Sequence, residues 1–368
     1  MNIARFALFI SVFSLVYFGM HYFVYLRLVW GGSLGQRESV LLKLFLAAGS
    51  LAFFAGMFHR AYPPLFVFLR MGNVWLGVMA IAVAVFVAKM PLDFIFPGQA
   101  KLSTLFAAIL VFAASGYSLY NVSGGPVVKQ LQLPAANLPV GVDSITVAHI
   151  SDLHLSRLND VAWLEGVVDA VNRQNADIVV ITGDIIDDDM DGLKAFVPAL
   201  RKLKSKYGVF AVAGNHDHYS ELGNMYSLAR AGGIRVLSNE KISVGGVVDI
   251  LGVDDENDEV MDNYQKFLAD TLKGGHLPVI LLKHRPTSFE AAASAGVLLQ
   301  LSGHTHAGQI PPLDLIVRLI FKYPYGMYRR GGSYIHTTCG TGTWGPPMRL
   351  FSRSEITVVT LFRQTGRP

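Results

Sequence analysis

The sequence predicts a bundle of four membrane-spanning helices at the N-terminus, followed by an α/β domain. Three observations predict this architecture. Four long, almost uncharged stretches occupy the first third of the chain. Short apolar runs alternate with segments of helical spacing from about residue 144, and five of those runs end in residue types that bind metals. The composition agrees, because 52% of the residues are hydrophobic and 16% are charged, whereas soluble domains have about 25% charged residues.

The membrane region is predicted to cover residues 1–122. Its spans are expected at about residues 6–26, 40–58, 71–88 and 102–122. Each is close to the roughly 20 residues that a helix needs to cross about 30 Å of hydrocarbon. One such stretch alone could be a buried core helix or a signal peptide. The first stretch has no clear cleavage site and three more follow it, so we expect a multi-pass protein whose partner is the lipid bilayer.

The basic charge of the chain is concentrated in this membrane region. Residues 1–130 contain nine Lys and Arg but only two Asp and Glu, whereas the rest of the chain has a small acidic excess. The net charge of +4 therefore does not indicate a nucleic-acid partner. The sequence predicts no oligomeric state.

Four spans place both ends of the chain on the same side of the membrane. The basic residues that bear on orientation are Arg5, Arg60, Arg70 and Lys129 on one side, and Arg27, Arg37, Lys89 and Lys101 on the other. The positive-inside rule gives a tie for these loops. Arg5 in the short N-terminus tilts the prediction towards a cytoplasmic C-terminal domain.

The rest of the chain is typical of an α/β domain, expected over residues 144–365 and joined by a Gly- and Pro-containing linker at 123–143. Apolar runs such as 144–152 and 176–184 alternate with segments of helical spacing such as 161–174. This alternation favours βαβ units with parallel strands.

Five of the apolar runs end in residue types that bind metals. In chain order these residues are Asp152 and His154; Asp184; Asn215, His216 and Asp217; His284; and His304 and His306. In α/β sheets, ligands bind beyond the carboxyl ends of the strands. Residues i and i+2 share a face in extended chain, so each Asp-x-His or His-x-His pair can turn two side chains towards one centre.

Each of these residues also has an interpretation without function. A lone aspartate after a strand is most often a helix N-cap, a lone histidine in a loop is most often on the surface, and a lone asparagine is common in turns. Five such groups in order, each after its own buried run, are not independent accidents. We therefore interpret them as one metal site.

With these residues in place, the sequence resembles the calcineurin-like metallophosphoesterases. Their pattern of Asp-x-His, Gly-Asp, Gly-Asn-His-Asp, His and Gly-His-x-His stands here in order, over roughly residues 144–365. The stretches 252–256, 302–311 and 345–361 are similar to the bacterial membrane-associated branch of the family, the YkuE-like or YaeI-like phosphoesterases. Ala307 departs from the glycine that is usual in that branch.

The resemblance implies a distorted αββα sandwich with a two-metal centre. The ligands that it implies are Asp152, His154 and His306 for the first metal, Asn215, His284 and His304 for the second, and Asp184 as the bridge between them. It also implies that His216 is the general acid for the leaving group and that Asp217 orients its ring. The alternative for His216 is a simple hydrogen bond to the phosphate.

The residue types support this chemistry independently. Two divalent ions can clamp a phosphoryl group and acidify a water into a nucleophilic hydroxide. Carboxylate, amide and imidazole ligands suit Mn²⁺, Fe, Zn²⁺ or Mg²⁺, of which we favour Mn²⁺. Cys339 is the only cysteine in the sequence, which excludes an intramolecular disulfide and zinc sites with three or four thiolates.

Two further segments leave alternatives open. Residues 311–328 contain clustered Leu and Ile with Arg318 and Lys322 nearby, which could form an interfacial segment beside the site or a helix packed on the domain's own sheet. Residues 337–349 could cradle a phosphate with backbone N–H groups or form a plain Gly/Pro loop.

The predicted function is hydrolysis of a phosphodiester or pyrophosphate bond by an enzyme of the bacterial inner membrane. The anchor and the resemblance favour a lipid-linked or nucleotide-linked substrate such as UDP-diacylglucosamine. The alternatives are a hydrolase of soluble esters that is merely tethered, a non-catalytic phosphate-sensing module, and a transport protein. The complete residue set weighs against the sensing module. Transport would need ionisable groups in mid-span, and the clearest candidate, His21, lies nearer the interface.

Overall fold

The computed structural model describes residues 3–59, 61–187, 190–255 and 263–363. Arg60, one of the basic residues that bear on orientation, lies outside these ranges. So do Glu256, at the end of the 252–256 stretch, and the predicted end of the domain at residue 365.

The N-terminal unit is built on four long helices. They are α1 (Ile3–Gly32), α2 (Gln36–Met57), α3 (Phe66–Ile95) and α4 (Ala100–Ser123). Within the described residues, all four are long and apolar enough to cross a membrane. The predicted bundle of four long apolar helices is therefore confirmed.

Helix α3 continues well beyond the predicted end of its span. Lys89 is the first charge after residues 71–88, and it hydrogen-bonds Asp93 one turn later. Arg27 of α1 also donates to Asp93, at 3.4 Å. These charges lie beside each other in the folded chain, so they do not end the helix. The sequence pattern alone did not reveal this pairing.

His21 has a structural role in this unit. The side chain is buried. Its Nδ1 lies 2.7 Å from the carbonyl oxygen of Tyr17 and therefore donates, and its Nε2 accepts from Trp75 Nε1 at 2.7 Å. Both ring nitrogens have partners, one within α1 and one on α3, so this residue gives no support to a transport function.

The second unit contains two six-stranded sheets. The strands among the described residues are β1 (Val127–Pro134), β2 (Ser144–Ile150), β3 (Ile178–Thr182), β4 (Val209–Val212), β5 (Arg235–Val236), β6 (Glu240–Val244), β7 (Val248–Val253), β8 (Val279–Lys283), β9 (Leu299–Ser302), β10 (Gly326–Arg330), β11 (Ser333–Thr337) and β12 (Glu355–Phe362). One sheet has the order β1-β12-β2-β3-β4-β5 and the other has the order β10-β11-β9-β8-β7-β6.

Short helices connect and cover these strands. They are α5 (Val161–Asn172), α6 (Met190–Leu193), α7 (Val197–Leu200), α8 (Asn215–Tyr219), α9 (Leu222–Ala231), α10 (Tyr264–Leu272), α11 (Phe289–Ser294) and α12 (Leu313–Ile320). Helix α5 begins with an aspartate cap, since Asp160 accepts a hydrogen bond from the Trp163 N–H.

Three apolar layers hold these elements together. One lies between the first sheet and helices that include α5 and α9, one lies between the two sheets, and one lies between the second sheet and helices α10 and α11. The central strands are buried on both faces, which explains why they read as continuous apolar runs. The layers form an αββα sandwich, so the predicted fold class is confirmed.

The pairing of the strands is mixed, whereas the sequence favoured parallel pairing. Strands β2 to β5 are parallel, and so are β11, β9, β8 and β7, but β12 pairs antiparallel with β2. Two further antiparallel pairs, β6–β7 and β10–β11, are hairpins that turn at Gly245-Gly246 and Gly331-Gly332. The Gly-Gly pairs were the local signal for these hairpins.

The predicted linker at 123–143 contains strand β1. This strand pairs in parallel with β12 along its whole length. Its side chains alternate between half-buried and exposed positions as far as Gln132, as expected of an edge strand. The surrounding Gly and Pro residues concealed this alternation at the level of sequence.

The chain returns twice to the unit of the long helices. Residues 309–315 and 345–351 belong to the same compact unit as residues 1–123, whereas the remaining residues from 124 onwards form the second unit. The predicted division into consecutive membrane, linker and catalytic segments did not include these two returns.

Candidate metal centre

The candidate site lies where five loops leave the carboxyl ends of strands from both sheets. The loops follow β2, β3, β4, β8 and β9. The structure brings all seven predicted ligands together: Asp152, His154, Asp184, Asn215, His284, His304 and His306. Their side chains are buried or half-buried, so they form an enclosed polar cluster rather than a solvated surface.

One half of the cluster consists of Asp152, His154 and His306. The Nε2 atoms of His154 and His306 are 3.1 Å apart, and Asp152 Oδ1 is 3.5 Å from His306 Nε2. One ligand atom from each residue lies within 4.8 Å of the others. This set matches the predicted first metal site.

The other half is centred on His284. Its Nε2 lies 3.2 Å from Asp184 Oδ2, 3.2 Å from Asn215 Oδ1 and 3.2 Å from His304 Nδ1. The same Asp184 Oδ2 is 3.9 Å from His154 Nε2 in the first half. Asp184 therefore lies between the two halves, where a bridging carboxylate would have to lie.

Hydrogen bonds fix which nitrogen two of the rings present. His284 Nδ1 lies 2.8 Å from the Thr182 carbonyl oxygen, which can only accept, so Nδ1 carries the proton. His154 Nδ1 lies 2.9 Å from Asp187 Oδ1 and donates in the same way. Both rings therefore turn a lone pair on Nε2 towards the cluster, as metal ligands do.

The carboxylates favour positive charge at the cluster. Burial alone would lower the pKa of His154 and His284, but Asp187 and Asp184 outweigh it and raise these pKa values to about 9 and about 10. Burial and the neighbouring His284 lower the pKa of His304 to about 3, so that ring stays neutral. A divalent cation would supply positive charge to both halves, in competition with protons.

The ligand loops are held in a strained backbone conformation. Asp152, His154, Asp184, His304 and His306 all have positive φ angles, between 46° and 71°. Non-glycine residues in this region cost about 1–3 kcal/mol each and persist where the surrounding fold over-determines them. This concentration of strain at one cluster is typical of a functional site.

Two glycines allow the loops to approach each other. A Cβ on Gly303 would lie 2.2 Å from Asp152 Oδ2, and a Cβ on Gly214 would lie 2.3 Å from Asp184 Oδ1. The close approach places the His304 N–H within 3.0 Å of Asp152 Oδ1 and the His216 N–H within 2.8 Å of Asp184 Oδ1. These bonds orient the two carboxylates.

His216 is oriented by Asp187 and not by Asp217. Asp187 Oδ1 lies 2.9 Å from His216 Nδ1 and 2.9 Å from His154 Nδ1. Asp217 instead accepts the backbone N–H groups of Gly214, Ile185 and Ile186. His216 and Asp217 are adjacent in helix α8, so their side chains point in different directions.

Asp187 was not among the site residues predicted from the sequence. Its position follows from the backbone, because Leu155 and Ile186 form a parallel bridge that joins the loops after β2 and β3. Around that bridge, the Asp187 N–H donates to the Leu155 carbonyl at 3.1 Å. The spacing Gly-Asp-x-x-Asp was the available signal.

The loop at 337–349 supports the ligand loop after β2. The backbone N–H groups of Thr341 and Gly342 donate to the carbonyl oxygens of Ser151 and Asp152, at 2.8 and 3.0 Å. Because these N–H groups are engaged by protein, the loop is better described as a brace than as a phosphate cradle.

Exposed aromatic rings lie beside His216, at one side of the cluster. The ring centroid of His216 lies 5.5 Å from that of Trp344 and 5.7 Å from that of Tyr219. Trp344 and Tyr219 are 51% and 69% exposed. On the other side, Phe321 lies 5.5 Å from His304. The sequence analysis did not assign these rings to the site.

The donor set fits a pair of divalent cations. The two histidine pairs bring ring nitrogens to 3.1 and 3.2 Å, and two of these nitrogens present lone pairs that need a positive partner. The remaining donors are carboxylate and amide oxygens, and the described part of the chain places no thiolate among them. Such a mixture suits Mn²⁺, Fe or Zn²⁺.

The chain is similar to several known proteins. Residues 145–308 match the family model described as calcineurin-like phosphoesterase. A transmembrane protein with metallophosphoesterase domain from Danio rerio is 32% identical over 275 residues, covering 70% of this chain and 62% of that protein. The uncharacterized metallophosphoesterase YkuE of Bacillus subtilis is 34% identical over 244 residues, covering 61% of this chain and 81% of that protein. A solved dimetal phosphatase from Danio rerio is 14% identical, with a TM-score of 0.40, covering 60% of this chain and 94% of the other.

Proposed function

The chain belongs to the calcineurin-like phosphoesterase family, and on that premise we propose that it hydrolyses a phosphodiester or pyrophosphate bond while anchored in a membrane. The observation that carries this proposal is the position of Asp184 between two sets of buried ligands, 3.2 Å from His284 and 3.9 Å from His154. A single-metal or purely structural site has no need of a second ligand set.

Two divalent ions would be held by the residues of the two halves. The first would take Asp152, His154 and His306, the second would take Asn215, His284 and His304, and Asp184 would serve both. When bound, such a pair supplies Lewis acidity for phosphoryl oxygens and a water of lowered pKa. We favour Mn²⁺ because oxygen donors and imidazoles are mixed in each set.

His216 is the proposed proton donor to the leaving oxygen. Its Nδ1 is occupied by Asp187, so Nε2 is the atom left to face the substrate. The carboxylate fixes the orientation of the ring, and a histidine held in this way can act as a general acid. His216 lies in a potential ligand cluster with His154 and Asp184, which keeps the proton close to the phosphoryl group.

The proposed substrate is a lipid-linked or nucleotide-linked phosphate, of the type represented by UDP-diacylglucosamine. Trp344 and Tyr219 support the nucleotide part, because exposed rings beside the proton donor offer surfaces on which a base can stack. The four membrane helices support the lipid part. The competing proposal is a soluble ester, for which the helices would only fix location.

We also propose a location in the bacterial inner membrane with the catalytic unit in the cytoplasm. The support is the even number of candidate spans and the basic N-terminus. Fusion of a periplasm-active and a cytoplasm-active reporter to the C-terminus measures the orientation. Activity of the periplasmic reporter alone would reverse it.

The test of catalysis uses the full chain in detergent micelles with added Mn²⁺. We expect turnover of a nitrophenyl phosphodiester, two bound metals per chain by elemental analysis, and loss of about 10³-fold in kcat for Asp184→Asn. The matched control is Asp160→Asn, which changes an aspartate that only caps helix α5. Asparagine caps helices equally well, so the control should keep its activity.

Two outcomes would overturn the proposal. Full activity in Asp184→Asn would place the chemistry elsewhere. Two bound metals without turnover of monoester, diester or pyrophosphate substrates would identify a phosphate-sensing module instead.

A further inference from the structure

Two segments outside the four long helices pack among those helices. Residues 309–315 and 345–351 belong to that compact unit. Ile310 and Met348 are buried in an apolar cluster with Ala80 and Ile81 of α3. The packing is close, because a Cβ on Gly77 would lie 2.5 Å from Met348 Sδ.

The depth of this contact follows from the length of α3. The helix has 30 residues, which corresponds to about 45 Å. Ala80 and Ile81 are its central residues. A hydrocarbon layer of about 30 Å contains the centre of such a helix wherever the layer lies along it. In a membrane that α3 crosses, Ile310 and Met348 are therefore at the level of the acyl chains.

Several polar groups of these segments have protein partners, as this depth requires. Irregular backbone is tolerated inside a membrane only where its polar groups find protein partners. Gln309 Nε2 donates to the Pro346 carbonyl at 2.7 Å, and the Arg349 N–H donates to the Ser118 carbonyl at 3.2 Å. The Arg349 carbonyl accepts from Asn121 Nδ2 at 3.0 Å. Asn121, a polar residue near the end of α4, thus has a defined role.

Helix α12 begins within the first of these segments and exposes an apolar face. Leu315, Leu319 and Ile320 are 61%, 87% and 68% exposed. Asp314 and Arg318, one turn apart, occupy the opposite side of the helix. The alternative that this helix packs on the domain's own sheet is excluded by these exposures. If this face lay in water, each of these side chains would lack the stabilisation of about 1.5–3 kcal/mol that burial of a large apolar side chain provides.

We propose that α12 lies in the boundary between headgroups and acyl chains, with its apolar face towards the acyl chains. The lipid bilayer is the occupant because the preceding residues are already packed against the centre of a membrane helix. The segment also adjoins the metal centre along the chain. His306 precedes Gln309 by three residues, and Phe321, next after α12, contacts His304 at 5.5 Å.

This placement, resting on the proposed function, narrows the substrate class. A phosphate ester that carries an acyl chain can keep that chain in the bilayer beside α12, whose flanking residues along the chain lead to His306 and to Phe321. A freely soluble ester gains nothing from the arrangement.

The first test measures depth without any catalysis. The full chain with Cys339→Ser and Leu319→Cys carries an environment-sensitive fluorophore at position 319, in nanodiscs with nitroxide lipids labelled near the headgroup. Val140→Cys gives the aqueous baseline, because Val140 is 98% exposed in the second unit. Arg318→Cys reports the polar side of the same helix. We expect quenching at position 319 at least about twofold stronger than at position 140 and stronger than at position 318.

Equal quenching at positions 319 and 140 would overturn the inference. A label at position 319 that is shielded from water but not quenched by lipid would also overturn it, since a protein surface, such as a second copy of the chain, would then cover the helix.

The second test separates the inference from the proposed function. Leu315→Ser with Leu319→Ser should raise KM about tenfold for a long-chain alkyl nitrophenyl phosphate in vesicles, relative to KM for its short-chain soluble analogue. Arg318→Ser, which leaves the apolar face intact, should leave this ratio unchanged. An unchanged ratio in the double variant would contradict the substrate class. Absence of hydrolysis with both esters, together with strong quenching at position 319, would refute the proposed function and leave the membrane helix standing.

Discussion

Asp187 contacts both a proposed metal ligand and the proposed proton donor. One carboxylate oxygen accepts from His154, a proposed metal ligand, and from His216, the proposed proton donor. Burial would raise the pKa of Asp187, but these two histidines hold it well below its usual range. The residue stays ionised and orients both rings throughout the range in which the enzyme would work.

The first prediction concerns this orienting role. Asp187→Asn should lower kcat by about 10²-fold for an alkyl phosphodiester and by much less for a nitrophenyl diester, whose leaving group needs no proton. Steady-state kinetics on both esters, with metal content measured in parallel, checks it. Asp217→Asn is the matched control, because Asp217 holds backbone N–H groups and touches no ring. It should lower thermal stability and affect both esters equally. Equal losses in Asp187→Asn would show that Asp187 acts only through the metals.

The second prediction concerns acid stability. His149 is fully buried against the Thr182 hydroxyl at 2.7 Å, and burial lowers its pKa from 6.5 to about 3. The folded state therefore binds this proton less readily than the unfolded state does. The stability that the neutral, buried ring contributes is fully present above pH 6.5 and is lost as the pH falls towards 3. The loss at pH 5 is about 2 kcal/mol.

Thermal unfolding of the metal-free full chain in detergent, at pH 8 and pH 5, measures this loss. His149→Gln cannot titrate, so its unfolding temperature should fall less on acidification than that of the parent chain. All the other titrating groups are common to both chains, so the difference between them measures His149 together with its effect on the neighbouring His336, whose ring lies 6.0 Å away. An identical fall of the unfolding temperature in both chains would mean that protonation of His149 does not contribute to the loss of stability in acid.

The clustering of the proposed metal ligands could be predicted from the sequence because each follows one of five apolar runs. Parallel strands deliver their carboxyl ends to one edge, so order along the chain was enough to group them. Asp187 could not be predicted in the same way. It stands in a run of four carboxylates between positions 184 and 189, and only the Leu155–Ile186 bridge shows which of them faces the histidines.

At the level of elements, the ligand loops depend on glycines that let them touch. The third prediction is that Gly303→Ala lowers metal affinity and kcat by at least about 10-fold, because the new Cβ would displace Asp152. Gly166→Ala is the matched control. It lies within helix α5, where nothing is near the new methyl group, and should stabilise the chain by about 0.5–1 kcal/mol. Metal titration followed by calorimetry compares the two. Unaltered metal affinity in Gly303→Ala would show that the loops accommodate the methyl group without displacing Asp152.

The sheets show where sequence patterns lose information about elements. Alternation of strands and helices predicted parallel pairing, which holds for the strands that carry the ligands. The outer strands of the second sheet, β6 and β10, depart from it because a turn that contains two glycines joins each of them to its antiparallel neighbour. Strand β1 was hidden for another reason, since an edge strand buries only alternate side chains.

At the scale of the whole molecule, the sequence predicted that the membrane region and the α/β domain follow one another along the chain. In the structure, two segments from the C-terminal half belong to the unit of the long helices. Ile310 and Met348 belong to the unit of the long helices although they lie in the C-terminal half. Hydropathy could not reveal this, because each segment is only seven residues long and a membrane span needs about 20.

The last prediction follows from that sharing. Removal of residues 1–123 leaves β1 in place but takes away the helices that cover Ile310 and Met348. We expect the shortened chain to aggregate unless detergent is present, because both side chains then face water. Ile310→Ala should have opposite effects in the two contexts. In the full chain it should destabilise the helix unit by about 2–5 kcal/mol, as a cavity does. In the shortened chain it should reduce aggregation, since it removes exposed apolar surface. Thermal unfolding of the full chain and light scattering of the shortened chain measure the two signs. A shortened chain that is monodisperse without detergent, and indifferent to Ile310→Ala, would mean that residues 309–315 find another partner and that the two units fold independently.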